Sequence, residues 1–340
     1  MNCPNCQIVV FPTDRFCEEC GIPLVADVPP DPPKAVQVNG CSKCGASSTA
    51  IDVEGYCSSC GFRNPTVDRD RFEVLLSKDL AGVCDRGLKH RSNEDFLALE
   101  SLENPQAQIL VVCDGVSSSQ TPELASQTAA KTTAEVLRTR LNQGETPELA
   151  MRAAISAALQ AVSAIPYKPH VSADPPSTTL VAAVIHKNHE QEQGRIATIG
   201  WLGDSRAYWI DPSSESNSKQ LTVDDSWLND MVSSGKMLEA EALRSPNAHA
   251  ITNWLGADVK DSAEPSTIDF SIPAAGYLLL CTDGLWNYVP EASQIFALIQ
   301  QIPAQQVSGG DATTICRHLV DFARSQGGHD NITVAVLYLT

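Results

Sequence analysis

The chain has 340 residues, and 24 Lys and Arg against 41 Asp and Glu leave a net charge of −17. A hydrophobic share of 43% with 19% charged residues reads as globular rather than disordered. The acidic excess excludes a chain that grips a nucleic-acid backbone along its surface, and without a run of about 18 uncharged apolar residues no membrane span is expected.

In chain order, Met1 to Gln7 (MNCPNCQ) has neither a basic nor an apolar leader region, so no secretory signal is expected. Eight of the twelve cysteines then fall within residues 3–60 as four C-x2-C pairs: Cys3 with Cys6, Cys17 with Cys20, Cys41 with Cys44, and Cys57 with Cys60. A C-x2-C turn puts both sulfurs on one side of the chain, and two such turns complete a tetrahedral thiolate site suited to zinc. Gly21, Gly45 and Gly61 follow Cys20, Cys44 and Cys60, where glycine lets backbone amides turn back toward sulfur. A disulfide framework is the competing reading and belongs to an oxidising compartment. The two segments resemble zinc ribbons, and together a double zinc ribbon with two structural Zn2+. Each is too small to bury a useful core, so the metal would supply its folding free energy. Residues 1–63 hold four Lys and Arg and seven Asp and Glu, which favours docking to a protein over nucleic acid. The expected boundaries are ribbon 1 at 1–24, a proline-rich spacer at 25–40, ribbon 2 at 41–63, a linker at 64–77 and one large domain at 78–340.

In the large domain, apolar runs predict strands at 109–113, 179–186, 195–202, 206–210, 277–282 and 332–339. Thr121-Pro122-Glu123 and Thr146-Pro147-Glu148 each read as a helix start: a capping hydroxyl, proline at the first position, an acid in the first turn. Alanine-rich helices should follow to about 142 and 165, with further helices near 226–236, 291–302 and 311–325. Strands without strict β-α alternation favour an α+β architecture. Cys84, Cys113, Cys281 and Cys316 are scattered in apolar contexts and read as small buried hydrophobes.

Three aspartates stand at strand boundaries. Ile109–Cys113 runs into Asp114-Gly115, the 277–282 run into Asp283-Gly284, and Asp330-Asn331 leads into Ile332-Thr333-Val334. Three carboxylates meeting at one edge would suit hard cations such as Mg2+ or Mn2+, although a single Asp-Gly is usually only a turn.

The order of motifs is more specific. Arg86-Gly87-Leu88-Lys89-His90-Arg91-Ser92-Asn93-Glu94-Asp95 resembles the opening motif of the metal-dependent serine/threonine protein phosphatases, type 2C, in their bacterial form. Similar in turn are Asp114-Gly115 with Glu123-Leu124-Ala125-Ser126, Ser177-Thr178-Thr179-Leu180, Gly203-Asp204-Ser205-Arg206, Leu221-Thr222-Val223-Asp224, Ile251 to Gly256, Leu278 to Leu285, and Gly327 to Val334. The resemblance covers about residues 78–340. It implies a four-layer α-β-β-α sandwich of two antiparallel sheets flanked by helices, preceded here by the ribbons.

It also implies two Mn2+ or Mg2+ ions bridged by a water that attacks phosphoserine or phosphothreonine in proteins. By motif position Asp114 would bridge the metals and Gly115 would offer its carbonyl. Asp283 and Asp330 would complete one shell, Glu94 would act through water, Asp95 would support the site, and Arg91 would bind phosphate. Asp174 is a candidate ligand of a third cation. Phosphorylated proteins are the implied substrates and the cytoplasm the expected compartment, with no nucleic acid or membrane partner. The ribbons would dock a protein.

Three departures stand out. Ser119 occupies the place of a histidine proposed as general acid, which leaves a metal-bound water or His90 as donor. His329 reads as a solvent-facing loop residue. Ser177 replaces a glycine, and Asp225 a histidine. Asp224 and Asp225 read as loop structure, and Asp204 with Arg206 as hairpin structure, with 224–256 as a flap beside the site. The altered Ser117-Ser118-Ser119 segment keeps open an alternative, a catalytically silent phosphatase-like adaptor that binds a phosphoprotein or partner.

Overall fold

The computed structural model describes residues 58–59, 67–169, 173–187, 194–259, 265–303 and 311–340. The expected zinc ligands Cys3, Cys6, Cys17, Cys20, Cys41, Cys44, Cys57 and Cys60 all lie outside the described residues, as does the proline-rich spacer. The chain divides into two units, Met1–Arg71 and Phe72–Thr340. Of the first, the described part is an isolated turn at 58–59, a single helical turn, α1 (Val67–Asp70), and Arg71, the first residue of the strand that leads into the second unit.

The second unit is the α+β sandwich. Strands β1 (Arg71–Leu75), β2 (Leu80–Asp85), β3 (Phe96–Leu102) and β4 (Ala107–Cys113) come first. Helices α2 (Pro122–Asn142) and α3 (Pro147–Ser163) follow. Then come β5 (Ser177–Thr178), β6 (Leu180–Lys187), β7 (Arg195–Leu202), β8 (Arg206–Ile210) and β9 (Lys219–Gln220). The short helices α4 (Trp227–Ser233) and α5 (Glu239–Ala242) precede β10 (Leu255–Gly256), β11 (Ser266–Ser271) and β12 (Gly276–Cys281). The chain closes with α6 (Asp283–Trp286), α7 (Ala292–Gln300), α8 (Ala312–Ser325) and β13 (Ile332–Leu339). One sheet has the order β1-β2-β13-β12-β8-β9 and the other β11-β7-β6-β4-β3, with β10 and β5 as a separate pair. β1 lies in the stretch expected as linker. Its charged residues, Arg71 and Glu73, break the apolar pattern that marked the other strands.

Alternation along the strands builds the layers. Ile109 and Val111 face α2 and α3, while Leu110 and Val112 face the opposite sheet. On the other sheet Leu279 and Cys281 face α7 and α8, while Leu278 and Leu280 meet the first sheet. Strands covered on both faces read as unbroken apolar runs, although antiparallel strands more often alternate. That is why these runs were legible and the half-exposed β3 and β11, with patterns such as Leu97-Ala98-Leu99-Glu100, were not. The two helix starts fall at Pro122 and Pro147, but neither Thr121 nor Thr146 caps with its hydroxyl, and Thr121 is left-handed at φ 49°. Proline at the first position, with no amide to satisfy, sets these starts instead. Cys84, Cys113, Cys281 and Cys316 are all buried.

Candidate active site

Register brings the motifs to one edge. Phe96 pairs with Cys113, so Asp95 and Asp114, the next residues outward, come together. Cys281 faces Val334 on one side and Arg206 on the other, so the chain beyond it carries Asp283 between Asp330 and Asp204. A separate cleft of about 190 Å³, lined in part by Ser77, Gln108, Arg195 and Tyr338, opens at the opposite strand ends.

Asp114 is fixed through its backbone. Its amide donates to Thr179 Oγ1 at 3.2 Å, and its carbonyl accepts from Thr178 Oγ1 at 2.7 Å and the Thr179 amide at 2.8 Å. The glycines after the aspartates are there for space. A Cβ on Gly115 would sit 2.6 Å from the Pro122 carbonyl oxygen and 2.7 Å from that of Glu94, and one on Gly284 would overlap the Asn331 carbonyl. Asp283 opens α6, and its Oδ2 accepts from Asn287 Nδ2 at 3.2 Å. Asp95 is wholly buried, and one of its oxygens accepts from Thr282 Oγ1 at 2.9 Å and Thr333 Oγ1 at 2.7 Å.

Asn331, which the sequence reading passed over, straps the Arg86–Asp95 loop to β13. Its Oδ1 accepts from the Glu94 amide at 2.6 Å, and its Nδ2 donates to the carbonyls of Arg86 at 2.8 Å and Ser92 at 3.1 Å. Asp330 Oδ1 accepts from the Asn331 amide at 2.7 Å and lies 3.2 Å from His90 Nε2. His90 Nδ1 is 4.0 Å from Glu94 Oε2, which accepts from Ser117 Oγ at 2.5 Å. The imidazole beside Arg91 thus faces the carboxylates, contrary to a simple strand alternation, because residues 86–95 form turns rather than a strand. Arg91 itself is exposed.

The electrostatics are those of charges awaiting a counter-ion. Burial pushes Asp114 well above the usual carboxylate range, and Asp95, Asp283, Asp330 and Asp204 push it further. Burial likewise raises Asp283, helped by Asp330, Asp204 and Asp95 and offset by a hydrogen bond with Asp114. Burial lifts Asp95 to about 7 against its hydrogen bond from Thr333. It lifts Asp204 to about 7 with the help of Asp224. Glu94 is raised by burial and eased by Ser117. Asp95 Oδ1 and Asp283 Oδ1 are buried without a hydrogen-bond partner. Divalent cations fit this donor set: it is all oxygen, carries excess negative charge and keeps buried lone pairs free. Among the described residues no three His, Cys, Asp or Glu side chains stand close enough together to hold a metal ion by themselves.

Asp204, read from sequence as hairpin structure, therefore belongs to this edge; Gly203 at φ +97° makes the turn that presents it. Its Gly-Asp-Ser sequence was the available signal, masked because the same tripeptide is an ordinary turn. Asp174 is exposed, and its backbone pairs with Ser119 and Gln120. It is not among the largest influences on Asp114 or Asp283. Ser119 is buried and its Oγ accepts from the Ser177 amide at 3.2 Å, so it closes a loop. His329 is half-buried rather than solvent-facing: its Nδ1 lies 2.9 Å from Tyr288 Oη. The second expected centre, the thiolate pairs Cys3 and Cys6, Cys17 and Cys20, Cys41 and Cys44, and Cys57 and Cys60, falls outside the described residues.

Comparison with known proteins identifies the family and the fold. The family model described as protein phosphatase 2C matches residues 86–314, and that described as double zinc ribbon matches residues 3–61. The chain is 26% identical to a serine/threonine phosphatase, stp, of Listeria welshimeri over 256 residues, 74% of this chain and 92% of the relative. The crystal structure of serine/threonine phosphatase Stp1 from Staphylococcus aureus superposes with a TM-score of 0.61 at 24% identity, covering 79% of this chain and 98% of that one. The catalytic domain of the serine threonine protein phosphatase PstP, in complex with 2 manganese ions, superposes with a TM-score of 0.56 at 24% identity, covering 77% and 98%.

Proposed function

The chain belongs to the protein phosphatase 2C family, and we propose that its carboxylate edge hydrolyses phosphoserine and phosphothreonine in proteins. The observation that carries this reading is the meeting of Asp95, Asp114, Asp204, Asp283 and Asp330 at one edge, with buried oxygens of Asp95 and Asp283 unpartnered. Asp114, Asp283 and Asp330 would hold two Mn2+ or Mg2+ ions, with the Gly115 carbonyl as a further donor and Glu94 acting through water. Such ions would supply an activated water and neutralise charge on the phosphoryl group. Asp95, held by its hydrogen bonds from Thr282 and Thr333, supports the site beside Asp114. Arg91 supplies a guanidinium at the exposed rim for the substrate phosphate. Asp174, exposed beside Ser119, is only a candidate ligand for a third cation.

Cys3, Cys6, Cys17 and Cys20 hold one Zn2+ and Cys41, Cys44, Cys57 and Cys60 a second, and the ribbons so formed dock a protein partner. The phosphatase works in the cytoplasm, where those thiolates stay reduced. Among the described residues no helix is long and apolar enough to cross a membrane. The silent-adaptor reading rests on the altered Ser117-Ser118-Ser119 segment, and the active reading is favoured over it by the presence of Asp114, Asp283, Asp330 and Arg91 together.

The test is phosphate release from a phosphothreonine peptide with Mn2+ and with chelator, alongside Asp283→Asn. Metal-dependent release that falls by at least about 100-fold in the variant supports the reading. A folded protein that binds Mn2+ but releases nothing overturns it.

A further inference from the structure

Arg206, the first residue of β8, makes contacts that the hydrolytic chemistry does not use. Its guanidinium forks onto Asp224, with Nε 2.9 Å from Oδ1 and Nη2 2.7 Å from Oδ2. The same group stacks over Trp286, 3.8 Å from the ring centre. Nη1 donates to Tyr208 Oη at 3.1 Å, and that hydroxyl donates to the Pro290 carbonyl at 3.0 Å. Arginine is suited to this because its planar fork satisfies a carboxylate edge-on while its face covers an aromatic ring.

The two sides of this contact belong to different functional parts. Asp224 stands at the neck of a segment that leaves and returns beside the carboxylate edge. There the Asp225 carboxylate accepts from the Gly203 amide at 3.0 Å, the Thr252 amide donates to the Asp225 carbonyl at 2.9 Å, and Ser226 bridges Ile251. Between those anchors lie α4 and α5, with Leu238 78% and Leu243 52% exposed. Trp286, 4% exposed, ends the turn that Asp283 begins. One guanidinium therefore touches both the neck of an exposed apolar segment and the turn that presents a candidate cation ligand.

We propose that Arg206 is a positioning residue that ties the 224–252 segment to the Asp283 turn, so that the surface a phosphoprotein meets is held in register with the cation edge. The proposal rests on the phosphatase reading. It differs from a hairpin salt bridge that only adds stability, because it separates protein substrates from small ones. A phosphopeptide meets the segment, whereas p-nitrophenyl phosphate meets only the edge.

The test uses the full chain with Mn2+. Asp224→Asn cuts the arm to the segment: KM for a phosphothreonine peptide should rise about tenfold, while kcat/KM for p-nitrophenyl phosphate and calorimetric Mn2+ affinity stay within about twofold. Arg206→Lys loses both the fork and the stacking, so peptide KM should rise similarly and Mn2+ affinity should fall about tenfold as well. The double variant should raise peptide KM no further than Arg206→Lys alone. Equal losses on both substrates in Asp224→Asn, multiplying effects in the double variant, or an unchanged Mn2+ affinity in Arg206→Lys would each overturn the proposal. Calorimetry reads the Arg206 arm without turnover. Mn2+ binding that weakens in Arg206→Lys but not in Asp224→Asn, with no hydrolysis by the parent chain, therefore counts against the phosphatase reading and not the clamp.

Discussion

Replacing Asn331 with alanine removes three hydrogen bonds from a side chain only 2% exposed. The Glu94 amide, bonded at 2.6 Å, would lose its partner in a half-buried loop. The carbonyls of Arg86 and Ser92 can be partly re-satisfied by water. At about 1 kcal/mol for each of the two replaceable bonds and about 1–3 kcal/mol for the stranded amide, the cost is roughly 3–5 kcal/mol. The assay is urea unfolding followed by tryptophan fluorescence. All five tryptophans (201, 209, 227, 254 and 286) lie in the second unit, so the signal reports that unit alone. Mn2+ affinity should fall about tenfold in parallel, because the strap aligns Glu94 beside Asp330. An Asn331→Ala variant whose unfolding free energy lies within about 0.5 kcal/mol of the parent would refute the argument that this side chain holds the loop.

The carboxylate edge predicts a pH dependence. Asp95 and Asp204 titrate near 7 in the folded chain against an ordinary 3.8. Without divalent cations the folded state therefore binds more protons than the unfolded state between these values. Their stabilisation is complete below about pH 4 and is lost as pH rises through about 7. Tryptophan-detected stability should fall from pH 5.5 to 8 in metal-free buffer, and Mn2+ should stabilise more at pH 8 than at pH 5.5; a flat profile would contradict this. Gly284→Ala should abolish soluble expression or cost more than about 3 kcal/mol, since its Cβ would overlap the Asn331 carbonyl. Gly144→Ala, at φ +82° with open space around the added carbon, should cost only about 1 kcal/mol. Native mass spectrometry should find two zinc ions per chain, falling to one when Cys3 and Cys6 are both replaced by serine; four disulfides instead would overturn the zinc-ribbon assignment of the thiols.

What the sequence determined by itself was whatever is encoded locally or in order along the chain. Strands buried on both faces announce themselves as apolar runs, although the buried β2, broken by Gly82 and ending in Asp85, does not; Pro122 and Pro147 mark helix starts, and Asp114, Asp283 and Asp330 stand beside such runs. Motif order along residues 86–334 carried the family. The tertiary structure decided whatever depends on partners distant in sequence. Asn331 looks like any polar residue until its three bonds reach residues about 240 positions away. Asp204 is an ordinary turn aspartate until antiparallel register sets β8 beside β12 and brings it against Asp283. His90 faces the carboxylates because residues 86–95 fold as turns, which alternation along a strand could not convey. Ser119, at a position where the resemblance led one to expect a histidine, is instead fixed by a bond to Ser177 across the loop. Each of these depends on side-chain geometry across paired strand ends, and no local pattern in a single chain specifies it.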